Sequence, residues 1–225
     1  MLAHRLMGSS GGGGAVGPVS CTFTDSSVST ANSTAYTFSS QDFGEAAANR
    51  YIVVTAGGYD TSNETVSSIT IGGVTATIAV QVTGNSVTAA IAIAKVPTGA
   101  TGDVVVTFSG NMENAGIGVY RLVNLQSATA TDTGTDIAES SNALADDLTI
   151  PADGCGIGYA YIQSSNTDRT FSWTNLTETF DERVEDLTND NCHSGAMSTT
   201  VGTATRTVTV SFDIFSEALV LAAWR

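Results

Sequence analysis

Lysine occurs once in this chain, at Lys95, and charged residues of all kinds make up only 13% of its 225 residues. Eight Lys and Arg stand against 22 Asp and Glu, for a net charge of −14 and a pI of about 4.1. Binding to nucleic acid by counterion release needs clustered basic side chains, and an anionic membrane surface repels an acidic protein, so neither is an expected partner. Three cysteines, Cys21, Cys155 and Cys192, are widely spaced and form no CxxC pair. That excludes a dense disulfide framework and a zinc site of familiar spacing, and it fits folding in a reducing cytosol. No run of 18 apolar residues occurs, and Met1 to Gly14 lacks the apolar stretch of a secretory signal, so no membrane span or export signal is expected. Aromatic residues are 7% of the chain and histidines number two.

What the chain does have is Thr, Ser, Asn and Gly around a hydrophobic content of 42%. That is enough for a core, with an uncharged polar surface suited to sheet faces and tight turns. From Cys21 onward, alternating and β-branched segments follow one another: Tyr36–Ser39, Tyr51–Ala56, Ser67–Ile71, Val74–Gln81, Val87–Val96, Gly102–Ser109 and Gly116–Leu122. Turn chemistry separates them, with Gly72-Gly73 and Gly84-Asn85 as hairpin signals and Pro97-Thr98-Gly99 as a further turn. Helical period never persists beyond a turn or two, with Ala46–Arg50 the one candidate.

The order of segments then recurs. Ser67–Ile71 is matched by Thr170–Trp173, and Asp103–Ser109 by Thr207–Phe212. Arg50–Val54 is echoed by Cys155–Ala160. Phe108 pairs with Phe212, Tyr120 with Trp224 and Arg121 with Arg225, all at one constant offset. Matching order at a constant offset indicates duplication. The expected fold is all-β: two tandem repeated β-sandwich units (Ig-like or jelly-roll-like), separate or merged into one sandwich, with an extended N-terminal arm. The divisions are 1–20 for a Gly-rich arm, 21–125 for the first unit, 126–146 for a joining segment rich in Thr, Ala, Ser and Asp, and 147–225 for the second unit. In the arm, Leu2, Leu6 and Met7 beside His4 and Arg5 form a small apolar cluster ahead of Gly11–Gly14. A glycine run has no structure of its own, so the arm reads as a disordered tail or as a tethered anchor that docks on a partner. Met7-Gly8-Ser9-Ser10 also reads as a cloning leader, although no histidine run follows.

Reactive constellations are scarce. His4 lies in the arm, and His193 follows Cys192 in what reads as a polar loop. Neighbouring residues on a strand point to opposite faces, which speaks against a Cys192–His193 dyad. No G-x-S-x-G occurs. The run Asp181–Asn191 is the most acidic in the chain, and calcium is the one ion it could hold. It lacks the alternation and central glycine of a calcium loop, so no cofactor and no metal are expected. A second acidic group, Asp132, Asp136, Glu139, Asp146 and Asp147, reads as solvated linker surface. Asp181 and Glu182 are the carboxylates to consider for glycoside hydrolysis, and Tyr59, Tyr161 and Trp173 the aromatics to consider for glycan contact. Trp173 and Trp224 otherwise read as core. No catalytic residue is assigned and the chain is not expected to be an enzyme.

Tyr36-Thr37-Phe38, Asp42-Phe43-Gly44, Arg50–Val54, Ile69–Val74, Pro97-Thr98-Gly99 and Gly116–Tyr120, with Trp173–Glu178 and Phe180-Asp181-Glu182, resemble a group of bacteriophage and prophage proteins over most of residues 34–225. The opening Met1–Arg5 is similar to the starts of that group. The resemblance implies a virion component. One form is a capsid decoration or head-fibre protein bound to the major capsid protein; the other is a tail or tail-fibre protein or a carbohydrate-binding module for host glycans. By analogy it implies a homotrimer or other homo-oligomer, folded in the bacterial cytoplasm and located in the virion. It carries over no catalytic residues. Docking would run through Leu2, His4, Arg5, Leu6 and Met7.

Overall fold

The computed structural model of the chain describes residues 17–163, 170–184 and 191–225, the side chains of 213–215 excepted. The protein is all-β, and among the described residues there is no helix. Ala46–Arg50 closes only a turn, with the Arg50 N–H donating to the Ala47 carbonyl at 2.9 Å. The first half holds β1 (Ser20–Ser29), β2 (Ser33–Asp42), β3 (Tyr51–Tyr59), β4 (Val66–Ile71), β5 (Val74–Thr75), β6 (Thr77–Gly84), β7 (Val87–Lys95), β8 (Thr101–Met112) and β9 (Asn114–Val123). The second holds β10 (Asp132–Ile150), β11 (Cys155–Gln163), β12 (Ser172–Thr174), β13 (Thr177–Val184), β14 (Asn191–Thr199) and β15 (Ala204–Trp224). Gly72 and Gly73 turn with φ of 57° and 79°, and the β6–β7 hairpin turns at Asn85-Ser86, φ 50° and 71°, one residue later than Gly84-Asn85. Positive φ at both central residues matches the twist of the flanking strands.

Three sheets result, ordered β1-β9-β3-β7-β6, β2-β8-β4-β5 and β10-β15-β11-β14-β13, with β12 added to β15. All strand pairs are antiparallel. β10 and β15 are long enough to serve two layers. Residues 132–139 of β10 pair with 216–223 of β15, and residues 143–150 with 204–211, across register shifts at Ser141. Each half of the chain is therefore a sandwich with its own core. Tyr36, Phe38, Ile52, Val54, Ile69, Val106 and Phe108 lie in the first. Leu144, Leu148, Ile162, Val208, Val210, Phe212 and Leu219 lie in the second. A third core joins them: Val53, Tyr120 and Leu122 of the first unit pack against Ile157, Tyr159, Tyr161, Phe180, Val220 and Trp224 of the second. The two sandwiches are stacked, and the shared core makes them one body.

The ladder register carries the duplication. Tyr51 faces Lys95 across β3·β7, and Cys155 faces Thr199 across β11·β14. Ile69 faces Val106, and Trp173 faces Val210. The bulge between Ile78 and Val80 on β6 returns between Glu178 and Phe180 on β13. Bulges of this kind are built-in features of a strand and not accidents of folding. One strand departs from the common offset. Tyr51 faces Leu122 on β9, whereas Cys155 faces Trp224 on β15, so the positional partner of Trp224 is Leu122 instead of Tyr120. The first unit breaks at Glu113 between β8 and β9, while β15 runs on unbroken. A displacement of two residues keeps every side chain on its original face, so Tyr120, Leu122 and Trp224 all enter the shared core.

The segment 126–146 is strand from Asp132 onward and not a linker. Its carboxylates bond backbone amides on the open edge of the bent strand. Asp132 accepts from Thr149 N–H at 2.6 Å, Asp136 from Ala145 N–H at 2.9 Å, and Asp146 from Thr135 N–H at 2.7 Å. Asp25 of β1 does the same for Asp42 N–H of β2 at 2.8 Å. Occupied amides and clustered negative charge stop an edge from recruiting another strand. Part of the acidic group that reads as solvated linker surface thus has a definite structural task.

Candidate functional site

The residues most like a chemical site lie on β14, whose sequence Asn191-Cys192-His193-Ser194-Gly195-Ala196 looks polar but is buried throughout. Alternation explains this. Cys192 and Ala196 face the core of the second unit, while the His193 ring meets Tyr159, Tyr161 and Phe180 on the shared-core side. Gly195 is required there: a Cβ would lie 2.2 Å from the Tyr120 hydroxyl and 2.3 Å from the Phe180 ring. Cys192 and His193 therefore point apart, as strand geometry demands, and His193 lies in a strand and not in a polar loop.

His193 is fully buried. Its Nε2 stands 3.4 Å from Glu182 Oε2 on β13, and its Nδ1 is 3.2 Å from the Tyr159 hydroxyl on β11. Tyr159 in turn donates to the carbonyl of Gly116 on β9 at 3.2 Å. The hydroxyl of Ser26 on β1 donates to Glu182 Oε1. Beside this chain, Tyr161 donates to Asn114 Oδ1. Burial lowers the pKa of His193 against the opposing pull of the Glu182 carboxylate. Glu182 is lowered too, through His193 first and Ser26 after it, against its own desolvation. Burial sends Tyr159 well above its ordinary value, and the Glu182 charge adds to that. A serine, a carboxylate, an imidazole and a phenol thus form one line that crosses from the first unit to the second and ends on a backbone carbonyl. His193 and Tyr159 are fully buried, and their polar atoms face other parts of the chain. The line is a cross-brace between sheets.

The residues singled out from sequence are dispersed. Leu2, His4, Arg5, Leu6 and Met7 lie outside the described residues, as does the greater part of the acidic run, 185–190. Tyr59 is 7% exposed and Tyr161 is fully buried, so neither can form a platform for a sugar. Trp173 is half-buried against the second core and gives its indole N–H to Ser194 Oγ at 2.8 Å. Trp224 is fully buried. Asp181 and Glu182 occupy opposite faces of β13: Asp181 accepts from Phe171 N–H at 3.2 Å, while Glu182 turns inward to His193. Burial raises both Asp181 and Glu178. Among the described residues no three His, Cys, Asp or Glu side chains gather as a metal site.

Sequence reasoning missed Arg50. This guanidinium is fully buried. It donates to the carbonyls of Val96 at 2.7 Å, Phe43 at 3.3 Å, Gly44 at 2.8 Å, Thr98 at 2.9 Å and Gly99 at 2.6 Å. It ties the β2–β3 and β7–β8 connections together through a planar fork that lysine cannot reproduce. The signal available was an arginine directly before an apolar strand, and its backbone acceptors are invisible in a sequence.

Described residues build several surface clefts. Phe43, Gly72, Pro97 and Asp103 line one. Ile78, Ala128 and Thr133 line another. Cys21, Phe23, Thr179 and Met197 line a third. Asp103 and Cys21 are the titratable side chains among their walls. No family model matches the chain, and no curated protein or solved structure matches it.

Proposed function

We propose that this chain is a bacteriophage virion structural protein of the capsid decoration or head-fibre type. It acts as a homo-oligomer, docked through its N-terminal arm onto the major capsid protein, with the stacked β units projecting outward. The reading rests on the sequence resemblance and on one structural observation. The side chains that could do chemistry, His193, Glu182 and Tyr159, are engaged in bracing two sandwiches into one body. A stiff body with closed, acidic edges suits a particle surface, where stray strand pairing between copies would be harmful. Gly17, the first described residue, leaves the body where Arg225 Nη1 donates to its carbonyl at 3.3 Å and where the Val19 N–H donates to the Asp153 carbonyl at 2.8 Å. The described chain thus begins beside the core shared by the two units, where Val19 packs.

The test is binding to purified phage heads that lack the protein, with the full chain and with residues 1–18 deleted. The full chain should sediment with heads and the deletion should stay in solution as a folded oligomer. Equal binding by both would overturn the anchor. A protein that ignores heads but binds host cells would move it to a tail fibre.

A further inference from the structure

Cys21 on β1 and Cys155 on β11 come from different units, and both lie in the shared core. Their strands are pinned together two residues ahead of each cysteine by the Val19–Asp153 backbone bond of 2.8 Å. Cys21 Sγ lies 3.8 Å from Met197 Sδ. The Cys155 thiol neighbours that of Cys21, and both face Tyr120. Cys155 is fully buried, while Cys21 is 8% exposed and lines an open cleft with Thr22, Phe23, Thr179 and Met197. The third thiol, Cys192, sits in the core of the second unit on the far side of its sheet. Both cysteines of the pair are reduced in this structure.

We propose that Cys21 and Cys155 are an oxidisable pair, which a low-molecular-weight disulfide closes into a covalent staple between the two units. Access sets the order of steps. The Cys21 thiolate attacks the small disulfide R–S–S–R from the cleft, forming Cys21–S–S–R and releasing one thiolate. Cys155, deprotonated in turn, attacks the Cys21 sulfur of that mixed disulfide and expels the second thiolate. Two protein thiols are oxidised, one small disulfide is reduced to two thiols, and the two cysteine protons pass to them. Burial, with the neighbouring Cys21 thiol, holds Cys155 well above its usual value, which leaves little thiolate for the second step and makes closure slow. A chain that folds reduced in a cytosol and later meets oxidising surroundings would thereby gain a crosslink over a long loop.

The experiment incubates the folded full chain with oxidised glutathione, then alkylates and measures intact and peptide masses. The expected result is loss of two hydrogens and a peptide linking Cys21 to Cys155. Cys192 should become alkylatable on unfolding, and Tm should rise by roughly 5–15 °C, reversed by dithiothreitol. Cys192→Ser should close as the natural chain does. Cys155→Ala, shown folded by circular dichroism, should stop at a glutathione adduct on Cys21. Three intact thiols after prolonged exposure, a persistent adduct on Cys21 in the natural chain, or closure only in denaturant would each overturn the proposal.

Discussion

The two halves of the molecule follow one register and solve its problems with different side chains. Strand β3 ends in Gly57-Gly58-Tyr59, and β11, at the same offset, in Tyr161-Ile162-Gln163. The corresponding positions Gly57 and Tyr161 meet across the shared core: a Cβ on Gly57 would lie 2.8 Å from the Tyr161 ring and 2.9 Å from that of Tyr159. Gly116 and Gly118 on β9 likewise make room for His193 and Phe180. Two identical faces cannot both carry rings at the same close contact, so at these positions the second unit carries the rings and the first the space. The same divergence occurs at the entry to these strands. The first unit holds its loops with Arg50, and the second has Gly154 there, packed too tightly against the Trp224 carbonyl to accept a Cβ.

The largest way to break this comparison is at Arg50. Arg50→Ala leaves five carbonyls without their donor and should lower unfolding free energy by about 3–5 kcal/mol, with Lys failing to restore it; urea denaturation measures both. Next comes the ring-and-space contact. Gly57→Ala forces a methyl between Tyr159, Tyr161 and the Thr88 carbonyl and should cost about 1–3 kcal/mol in the same assay. Trimming Tyr161 should partly relieve it, because the clashes with the Thr88 carbonyl and the Tyr159 ring persist while that with the Tyr161 ring goes.

The cross-brace sharpens the comparison through pH. His193 has a depressed pKa in the folded state, below the ordinary imidazole value of 6.5, so the unfolded chain binds the extra proton first. Stability should therefore be full above pH 6.5 and fall as pH drops below it. Glu182, also depressed from 4.5, adds a further loss at lower pH. Glu182 and Tyr159 stand within reach of the His193 ring, and the charge of Asp181 acts on it from the other face of β13. Melting at pH 7.5 and 5.5 should show a smaller drop in Tm for His193→Gln than for the natural chain. An equal drop in both would remove His193 as the cause. The smallest effect belongs to the edges. Asp146→Ala frees the Thr135 amide and should cost no more than about 1 kcal/mol, yet it should raise self-association in light scattering.

Strands β2 to β4 and β7 to β9 were legible because each buries one face or both, and alternating or unbroken apolar runs carry that in the residues themselves; Val74–Gln81 reads as one strand but is broken at Ala76 into β5 and β6. The duplication was legible through the aromatic anchors Phe108 and Phe212. The strands β1 and the start of β10 were not, since edge strands rich in Ser, Thr and Asp look like loops when their pairing partner is distant in sequence. β14 was misleading for the opposite reason. Its small and polar residues are buried because rings from other strands cover them. Tyr59 and Tyr161 could be placed on strands but not on a face open to solvent, which depends on the neighbouring unit. Arg50 and the Ser26–Glu182–His193–Tyr159 line depend on contacts between distant segments and have no local signature.

Both tryptophans, Trp173 and Trp224, lie in the second unit, which makes one measurement decisive for the shared core. Urea unfolding of Arg50→Ala, a change confined to the first unit, should be followed by tryptophan emission and by far-ultraviolet circular dichroism. If the units form one body, the tryptophan midpoint moves down with the dichroism midpoint and the two curves superimpose. A tryptophan transition that stays at the midpoint of the unaltered protein, behind an earlier step seen by dichroism, would contradict the shared core and leave two sandwiches that merely touch.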